Sequence, residues 1–335
     1  MNIVYTLIIL CVLVLVHEFG HFAVAKMNGI YVEEFSIGMG PKVFSWGKGE
    51  TVYSIRAFPI GGFVKMVGED EASDNERAFC NKSILSRMAV TFAGPAMNFV
   101  FAIIFFMIAF MYFGSPASNG LIGQVYPDYP AAVAGLQAGD VLVTLDDTKI
   151  NNWNDISAFM QNTQVGQQVA VGYQRDGELN SASVMLIANE DGNPVLGITQ
   201  GVAKADFFAS IKRGFATTVE FTVLMLSALW QMISGQMAVE VAGPVGMVSM
   251  VGEYADVGLM YLFLFAGVLS VNLGVMNLLP IPALDGSRLV CLLVEAIRRK
   301  PIDRDKEAMV NFVGFVLLMT LMLVVTFCDI ERLIK

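Results

Sequence analysis

The sequence predicts a polytopic α-helical membrane protein with four transmembrane helices, a membrane-associated β-region and one extracytoplasmic α+β domain. Of its 335 residues, 55% are hydrophobic and 15% are charged, and the mean hydropathy is +0.61. Soluble domains carry about 25% charged residues, so a single water-soluble globule is excluded. Four apolar runs have the roughly 20 residues that a helix needs to cross a bilayer. They are residues 3 to 25, 88 to 113, 259 to 280 and 309 to 327.

The charge balance and the cysteines exclude further classes of protein. The formal net charge is −9 and the pI is near 4.8. Nucleic acid is therefore excluded as a partner, because phosphate binding needs a surplus of Lys and Arg on one face. The cysteines are far apart and show no Cys-x-x-Cys spacing, so neither a disulfide framework nor a zinc ribbon is predicted. They are Cys11, Cys80, Cys291 and Cys328.

The apolar runs divide the chain into eight segments. The predicted boundaries are 1 to 27 for the first span, 28 to 87 for the β-region, 88 to 113 for the second span, 115 to 200 for the α+β domain, 201 to 258 for a segment with an amphipathic helix, 259 to 286 for the third span, 287 to 308 for a loop and 309 to 328 for the fourth span.

The basic residues are unevenly distributed among these segments. Residues 26 to 87 hold eight Lys or Arg, residues 114 to 206 hold three, and residues 286 to 307 hold six. Cytoplasmic loops carry the excess of basic residues. The β-region and the last loop are thus predicted to be cytoplasmic, and the α+β domain to be outside.

A fifth run, residues 215 to 233, is ambiguous. No Lys or Arg occurs between Arg213 and Arg288. If the fifth run crossed the membrane, the basic segment 286 to 307 would lie outside, against the usual charge bias. We therefore expect residues 207 to 235 to form an amphipathic helix on the outer interface, although a fifth span stays open.

Two segments between the spans have the pattern of β-structure. Residues 115 to 200 contain short alternating strands, such as 141 to 145, and an Asp176-Gly177 hairpin turn. In the β-region, Gly38-Met39-Gly40-Pro41 and Pro59-Ile60-Gly61-Gly62 punctuate apolar alternating runs, which predict β-hairpins. Because open sheet edges are not tolerated in lipid, this sheet is expected to lean on the helices and line a cavity. The alternative is an ordinary cytoplasmic loop.

The first apolar run ends with the residues that point to chemistry, His17-Glu18-Phe19-Gly20-His21. On a helix, His17 and His21 face the same point and Glu18 projects beside them, which predicts a divalent metal site with a neighbouring base. Zinc suits two imidazoles and a carboxylate, with a fourth position left for water. These are the only two histidines of the chain. Their burial in apolar surroundings would be unfavourable by several kcal/mol unless the side chains are paired or liganded.

The third ligand is expected from another buried carboxylate, and Asp285 is the candidate. It follows the third span, where Pro280 and Pro282 must interrupt the helix. Broken helices at membrane depth are tolerated only around a cavity. The alternative is that Asp285 is an interfacial cap or turn residue. Asn272 and Asn277 lie in the same segment and could hydrogen-bond either a substrate backbone or a neighbouring helix.

Further motifs stand at fixed places around this pattern. In chain order they are Gly38-Met39-Gly40-Pro41, Gly61-Gly62-Phe63-Val64-Lys65-Met66, Gly94-Pro95-Ala96-Met97-Asn98, Gly135-Leu136-Gln137-Ala138-Gly139-Asp140-Val141 and Asn277 through Gly286. Together with the histidine motif they make the chain similar to bacterial site-2 proteases, intramembrane zinc metalloproteases with one PDZ domain. The resemblance covers nearly the whole length. Ser287 departs from it, because the family usually has a second glycine there.

The resemblance implies a complete site and a function. The implied residues are His17, His21 and Asp285 as zinc ligands, Glu18 as the catalytic residue, and Asn272, Asn277, Gly61 and Gly62 as substrate-binding residues. It implies Zn²⁺ as cofactor, a bacterial plasma membrane location and a PDZ domain at 115 to 200. The expected activity is hydrolysis of peptide bonds within transmembrane segments of single-span membrane proteins, namely anti-sigma factors after a first cleavage and also remnant signal peptides. The alternatives are a metal-binding transporter and an inactive PDZ scaffold.

Overall fold

The computed structural model describes most of the chain as two compact units. The described residues are 2 to 47, 49 to 69, 71 to 117, 119 to 189, 192 to 204, 206 to 236, 243 to 301 and 303 to 334. One unit is formed by residues 1 to 108 with 211 to 335, and the other by residues 109 to 210. The first unit contains the long helices and the β-region, and the second contains the remaining strands.

The long helices follow the apolar runs. They are α1 (Asn2–Met27), α2 (Ile84–Phe113), α5 (Phe207–Ile233), α6 (Pro244–Val257), α7 (Leu259–Leu278), α8 (Asp285–Arg298) and α9 (Arg304–Ile334). Among the described residues, five helices are long and apolar enough to cross a membrane: α1, α2, α5, α7 and most of α9. The additional candidate is α5, so the count of four spans remains a prediction. The chain is a multi-pass membrane protein.

Small residues set how closely the helices approach. A Cβ added at Gly20 of α1 would meet the Ala93 carbonyl carbon of α2 at 2.8 Å. On α5, a Cβ at Gly214 would meet the Ile103 carbonyl oxygen of α2, also at 2.8 Å. Both distances are well below van der Waals contact, so glycine is required at these two crossings.

A side chain of α9 holds the start of α6. Asp329 is buried, and its Oδ2 accepts a hydrogen bond of 2.8 Å from the backbone N–H of Gly246. The first N–H groups of a helix lack partners within the helix, and a carboxylate satisfies them well. Asp329 therefore acts as a cap supplied by another helix.

The β-region is a sheet made from two long bent strands, β1 (Val32–Trp46) and β2 (Val52–Met66). Ile37 of β1 pairs with both Gly62 and Ile55 of β2, so this half of β1 lies between the two halves of β2. In the pairing of the described residues, the stretch 62 to 66 has β1 on one side only and forms an edge. The expected hairpins are therefore present, and the interpretation of this segment as an ordinary loop is wrong.

The centre of this sheet contains a buried carboxylate. Glu34 accepts hydrogen bonds from Ser54 at 2.6 Å and Arg56 at 2.9 Å, and Lys42 lies 2.9 Å from its second oxygen. Burial raises the pKa of Glu34, but the hydrogen bonds from Ser54, Lys42 and Arg56 outweigh it and lower the pKa to about 2. Ionised Glu34 thus stabilises the sheet by linking β1 to Ser54 and Arg56 of β2.

The second unit is a small α+β domain. Its helices are α3 (Pro130–Val133) and α4 (Trp153–Gln161), and its strands are β3 (Ser115–Pro116), β4 (Gly120–Val125), β5 (Val141–Leu145), β6 (Thr148–Lys149), β7 (Gln168–Arg175), β8 (Glu178–Met185), β9 (Ile187–Ala188), β10 (Pro194–Val195), β11 (Ile198–Gln200) and β12 (Val202–Ala203). The main sheet has the order β11-β4-β5-β7-β8, with β6 beside β5. As predicted, a strand covers 141 to 145 and Asp176-Gly177 turns β7 into β8.

An ion pair closes the core of this domain. Asp140 is 1% exposed and receives two hydrogen bonds from Arg175, of 2.7 and 2.8 Å. The backbone N–H of Gln137 adds a third, of 2.8 Å. Burial raises the pKa of Asp140, and the hydrogen bonds and charge of these partners outweigh it and lower the pKa.

Candidate active site

The first helix presents three polar side chains to one cavity. His17 and His21 are one turn apart on α1, and their ring centroids lie 4.8 Å apart in a T-shaped arrangement. Nε2 of one ring is 3.1 Å from Nε2 of the other. Glu18 lines the same cavity. Two ring nitrogens can approach so closely only if a proton or a cation lies between them, because two facing lone pairs repel.

Asp285, the first residue of α8, completes the cluster. Its Oδ2 lies 3.1 Å from His17 Nε2 and 3.4 Å from His21 Nε2. Atoms that are each about 2.1 Å from a shared tetrahedral centre stand roughly 3.4 Å apart, so this spacing fits zinc. Apart from the two imidazoles, the buried Oδ2 has no hydrogen-bond partner among the described residues. The three side chains together could hold a metal ion.

One face of α2 forms the back wall of the cluster. Val90, Gly94 and Asn98 succeed each other at intervals of one turn. The Val90 carbonyl oxygen is 2.8 Å from His21 Nδ1, and the Asn98 amide nitrogen is 3.1 Å from His17 Nδ1. A Cβ at Gly94 would stand 2.6 Å from His21 Cε1 and 2.8 Å from His17 Cε1. Glycine is therefore the residue that lets both rings fit.

An irregular segment delivers Asp285. As the two prolines predict, α7 ends at Leu278, before the end of the 259 to 286 segment assigned to the third span. Ala283 then adopts φ of 73°, a left-handed conformation that costs a residue other than glycine of order 1 kcal/mol. Asn311 of α9 accepts a hydrogen bond of 3.2 Å from the Ala283 N–H. Contacts from α9 thus support the strained turn beside the candidate ligand.

The departure at Ser287 does not disturb this turn. Ser287 lies in α8 and is not among the residues with positive φ. Its hydroxyl donates a hydrogen bond of 2.8 Å to the Leu284 carbonyl oxygen. A second glycine is therefore unnecessary, whereas a Cβ at Gly286 would stand 2.5 Å from the Leu278 carbonyl carbon.

The cluster opens into a cavity of about 250 Å³. Its lining comprises His17, Glu18, His21, Val64, Met66, Glu69, Val90, Thr91, Asn277, Ala283, Leu284, Asp285 and Arg288. Of the other expected substrate-binding residues, Gly62 approaches the catalytic candidate: a Cβ built on it would be 3.6 Å from Glu18 Cγ. Gly61 has φ of +86° and gives the strand its bend. Asn272 is exposed on α7 and is not among the lining residues, so its role stays a prediction.

Two ion pairs hold α8 beside the cavity. Arg288 bonds to Glu69, which follows β2, at 2.5 Å, and its guanidinium also donates to the Glu69 carbonyl oxygen at 2.9 Å. Arg87 of α2 makes a two-pronged pair with Glu295 at 2.5 and 3.1 Å. Such paired geometry fixes direction as well as distance. The helix that begins with Asp285 is therefore attached to both the β-region and α2.

The sequence alone does not predict a place at the site for Val90, Gly94, Asn98, Glu69 or Arg288. The Gly94-Pro95-Ala96-Met97-Asn98 motif contained two of them, and its spacing of four residues was a usable signal. A backbone carbonyl such as that of Val90 leaves no mark in a sequence. The two ion pairs join residues more than 200 positions apart, so only the fold reveals them.

Two histidines, a glutamate beside them and an aspartate from another helix, in a bundle of membrane helices, define the class of multi-pass membrane metallohydrolases. A family model described as Peptidase family M50 matches residues 5 to 321, and the chain belongs to this family. The resemblance to site-2 proteases is thereby confirmed. The protein is an intramembrane zinc metalloprotease, and its cofactor is Zn²⁺.

Two relatives extend over almost the whole chain. The regulator of sigma-W protease RasP from Bacillus subtilis is 34% identical over 418 aligned positions, which cover 99% of each chain. Zinc metalloprotease RasP from Geobacillus kaustophilus is 33% identical over 414 positions, covering 99% of this chain and 98% of that one. Among solved structures, the PDZ domain of an SdrC-like protein from Listeria monocytogenes covers 26% of this chain and 90% of that chain, with 24% identity and a TM-score of 0.24. A TM-score this low does not establish a PDZ fold for this chain, so the PDZ domain at residues 115 to 200 stays a prediction from the sequence.

Proposed function

We propose that His17, His21 and Asp285 hold the zinc ion and that Glu18 is the catalytic base. The observation that supports this most is the convergence of three ligand atoms, 3.1 to 3.4 Å apart, in a cavity that Glu18 also lines. When bound, zinc would polarise a water molecule and a substrate carbonyl, which makes water a usable nucleophile near neutral pH. Glu18 would accept the proton of that water and deliver it to the leaving amine.

The proposed substrates are single-span membrane proteins, cut within their transmembrane segments. The candidate ligands His17 and His21 lie inside α1, which is itself long and apolar enough to span, so the scissile bond has to reach membrane depth. The Bacillus subtilis relative is named as a regulator of sigma-W. For this chain we therefore propose membrane-bound anti-sigma factors, trimmed by a first protease, with remnant signal peptides as a second group.

Substrate would bind in extended form along the edge of the β-region. A helical peptide hides its amides in its own hydrogen bonds, so it has to unwind before attack. The edge formed by residues 62 to 66 has β1 on one side only in the described pairing, and Val64 and Met66 line the cavity. An added strand would find hydrogen bonds there, next to Glu18. Asn277 also lines the cavity and would hydrogen-bond the substrate backbone. Asn272, earlier in α7, would contact a more distant part of the substrate.

The proposed topology places the PDZ domain, residues 115 to 200, outside the cell. The support is the distribution of Lys and Arg, eight in residues 26 to 87 against three in 114 to 206. With four spans, α5 would lie on the outer interface. An impermeant thiol reagent added to intact cells, in a background whose four native cysteines are replaced by serine, should label Asn180→Cys and spare Ser73→Cys. Labelling of Ser73→Cys but not of Asn180→Cys would show that the chain has the opposite orientation in the membrane.

The catalytic proposal is tested by cleavage of a fluorescent single-span substrate in detergent. Glu18→Gln should retain one zinc per chain and lose activity, because an amide cannot accept the proton. His17→Ala should lose both zinc and activity. Glu253→Gln, an exposed change on α6, is the matched control and should behave as wild type. A chelator should stop cleavage and added zinc should restore it. Full activity of Glu18→Gln would refute the mechanism, and zinc binding without any cleavage would favour a transporter or a scaffold.

A further inference from the structure

The two imidazoles are held from behind by partners of different chemistry. His21 Nδ1 lies 2.8 Å from the Val90 carbonyl oxygen, which can only accept a hydrogen bond. His21 Nδ1 must therefore carry a proton, and in the neutral ring Nε2 keeps a lone pair directed at the cluster. His17 Nδ1 lies 3.1 Å from the amide of Asn98, which can donate through Nδ2 or accept through Oδ1.

The orientation of the Asn98 amide decides which nitrogen of His17 can bind a cation. If Nδ2 donates to Nδ1, the proton of the neutral ring sits on Nε2 and points at Asp285 Oδ2, 3.1 Å away. If Oδ1 accepts from Nδ1, the lone pair is on Nε2, as in His21. Half a turn of the amide interchanges these two arrangements, because its oxygen and nitrogen occupy nearly equivalent positions.

The surroundings leave this choice open to the amide. Asn98 is fully buried, and its Oδ1 has no hydrogen-bond partner among the described residues. Its backbone is anchored separately, since Ser270 of α7 donates a hydrogen bond of 2.7 Å to the Asn98 carbonyl oxygen. A buried amide oxygen without a partner is unfavourable by roughly 1 to 3 kcal/mol. Turning Oδ1 towards a protonated Nδ1 satisfies the oxygen but puts Nδ2 in the position without a partner, so the choice between the orientations falls to the lone pair that a ligand needs on His17 Nε2.

We propose that Asn98 is a positioning residue of the zinc site: its amide oxygen accepts the proton of His17 Nδ1 and keeps Nε2 available as a ligand. The inference rests on the proposed ligand set. Val90 performs the same task for His21 with a carbonyl, and the two partners stand two turns apart on the same face of α2, on either side of Gly94. Partners of this kind typically change metal affinity 10- to 100-fold when removed.

The variants separate the amide oxygen from mere packing. Asn98→Leu has a similar volume but cannot accept a hydrogen bond, and zinc should bind about 10- to 100-fold more weakly in a chelator competition. Asn98→Asp can only accept, and it should hold zinc within about threefold of wild type. Ser270→Ala removes the tie to the Asn98 backbone and leaves the amide intact, so its zinc affinity should be unchanged. An affinity of Asn98→Leu equal to wild type, or a loss above tenfold in Asn98→Asp, would overturn the proposal.

A spectroscopic test does not depend on any variant. The chain has two histidines, so ¹⁵N-histidine labelling of the full protein, purified with a histidine-free tag, gives ring signals from His17 and His21 alone. With zinc bound, both rings should carry their proton on Nδ1 and none on Nε2. A zinc-loaded ring protonated on Nε2 would overturn the role of Asn98. Failure of the wild type to bind zinc would instead overturn the proposed ligand set, which keeps the two outcomes distinct.

Discussion

A single methyl group at Gly94 should disable the metal site while the protein remains folded. In Gly94→Ala, the new Cβ would lie 2.6 Å from His21 Cε1, 2.8 Å from His17 Cε1 and closer still to His21 Nε2. Carbon atoms in normal contact are roughly 3.5 Å apart. The His21 ring would therefore have to move by at least about 0.9 Å and the His17 ring by about 0.7 Å.

The expected magnitudes separate folding from zinc binding. Overpacking costs typically 1 to 3 kcal/mol, and alanine gains about 1 kcal/mol over glycine in a helix, so folding should weaken by about 2 kcal/mol at most. Metal–ligand distances tolerate deviations of only about 0.2 Å, several times less than the required ring displacement. We expect zinc affinity to fall at least about 100-fold, which corresponds to about 2.7 kcal/mol.

Zinc affinity and thermal unfolding of the metal-free protein should be measured on the same preparations. Gly274→Ala on α7 is the matched control: its new Cβ would meet the Phe99 ring at 3.0 to 3.3 Å, and a side chain can adjust. The control should bind zinc as wild type does. If Gly94→Ala also binds zinc within threefold of wild type, the back wall of the site is softer than the geometry requires and the reasoning is refuted.

Three further predictions concern stability. Because the folded pKa of Glu34 is about 2 against an ordinary 4.5, its ionised form should stabilise the protein by roughly 3 kcal/mol above pH 4.5, and this stabilisation should be lost as the pH falls towards 2. Acid unfolding of Glu34→Gln should lack that loss. An acid-unfolding profile of Glu34→Gln equal to that of wild type would contradict the assignment. Arg175→Leu should destabilise the α+β domain by about 2 kcal/mol, because Asp140 stays buried without its partner. Hydrogen exchange of the domain amides measures this loss of stability, and unchanged exchange rates would refute the prediction. Asp329→Ala should lower the free energy of unfolding in detergent by about 1 kcal/mol, because a helix cap is lost. An equally large effect of Asp329→Asn would show that the charge matters more than the hydrogen bond.

The sequence was most informative where chemistry depends on neighbours along the chain. His17 and His21 are brought together by one helical turn, and Pro280 and Pro282 predicted the break after which Asp285 follows. The meeting of Asp285 with the histidines depends on how α8 packs, since residues 268 and 264 positions apart come within 3.1 and 3.4 Å. Spacing alone therefore left Asp285 open, and the family resemblance was needed to select it.

The sequence was least informative where function depends on space or on the backbone. Gly94 is required because two rings occupy the volume its side chain would fill, and a sequence records only that a glycine is present. The role of α5 is open for a related reason: its length and apolar composition are those of a candidate span, while the charge distribution favours the interface. Composition measures the apolar content of a helix and not its direction in the bilayer.

The arrangement of the partners explains why a metal centre can be held between helices that the chain connects only distantly. α1 would contribute two of the proposed ligands, and Val90 and Asn98 of α2 lie at hydrogen-bond distance behind their rings, so these two helices would form a rigid half of the site. The proposed third ligand, Asp285, is on a helix attached by ion pairs and preceded by a strained turn at Ala283. Strain in one narrow turn is tolerated only when the surroundings hold it. The half of the site that carries Asp285 is thus the part with stored strain, and zinc would join it to the rigid half.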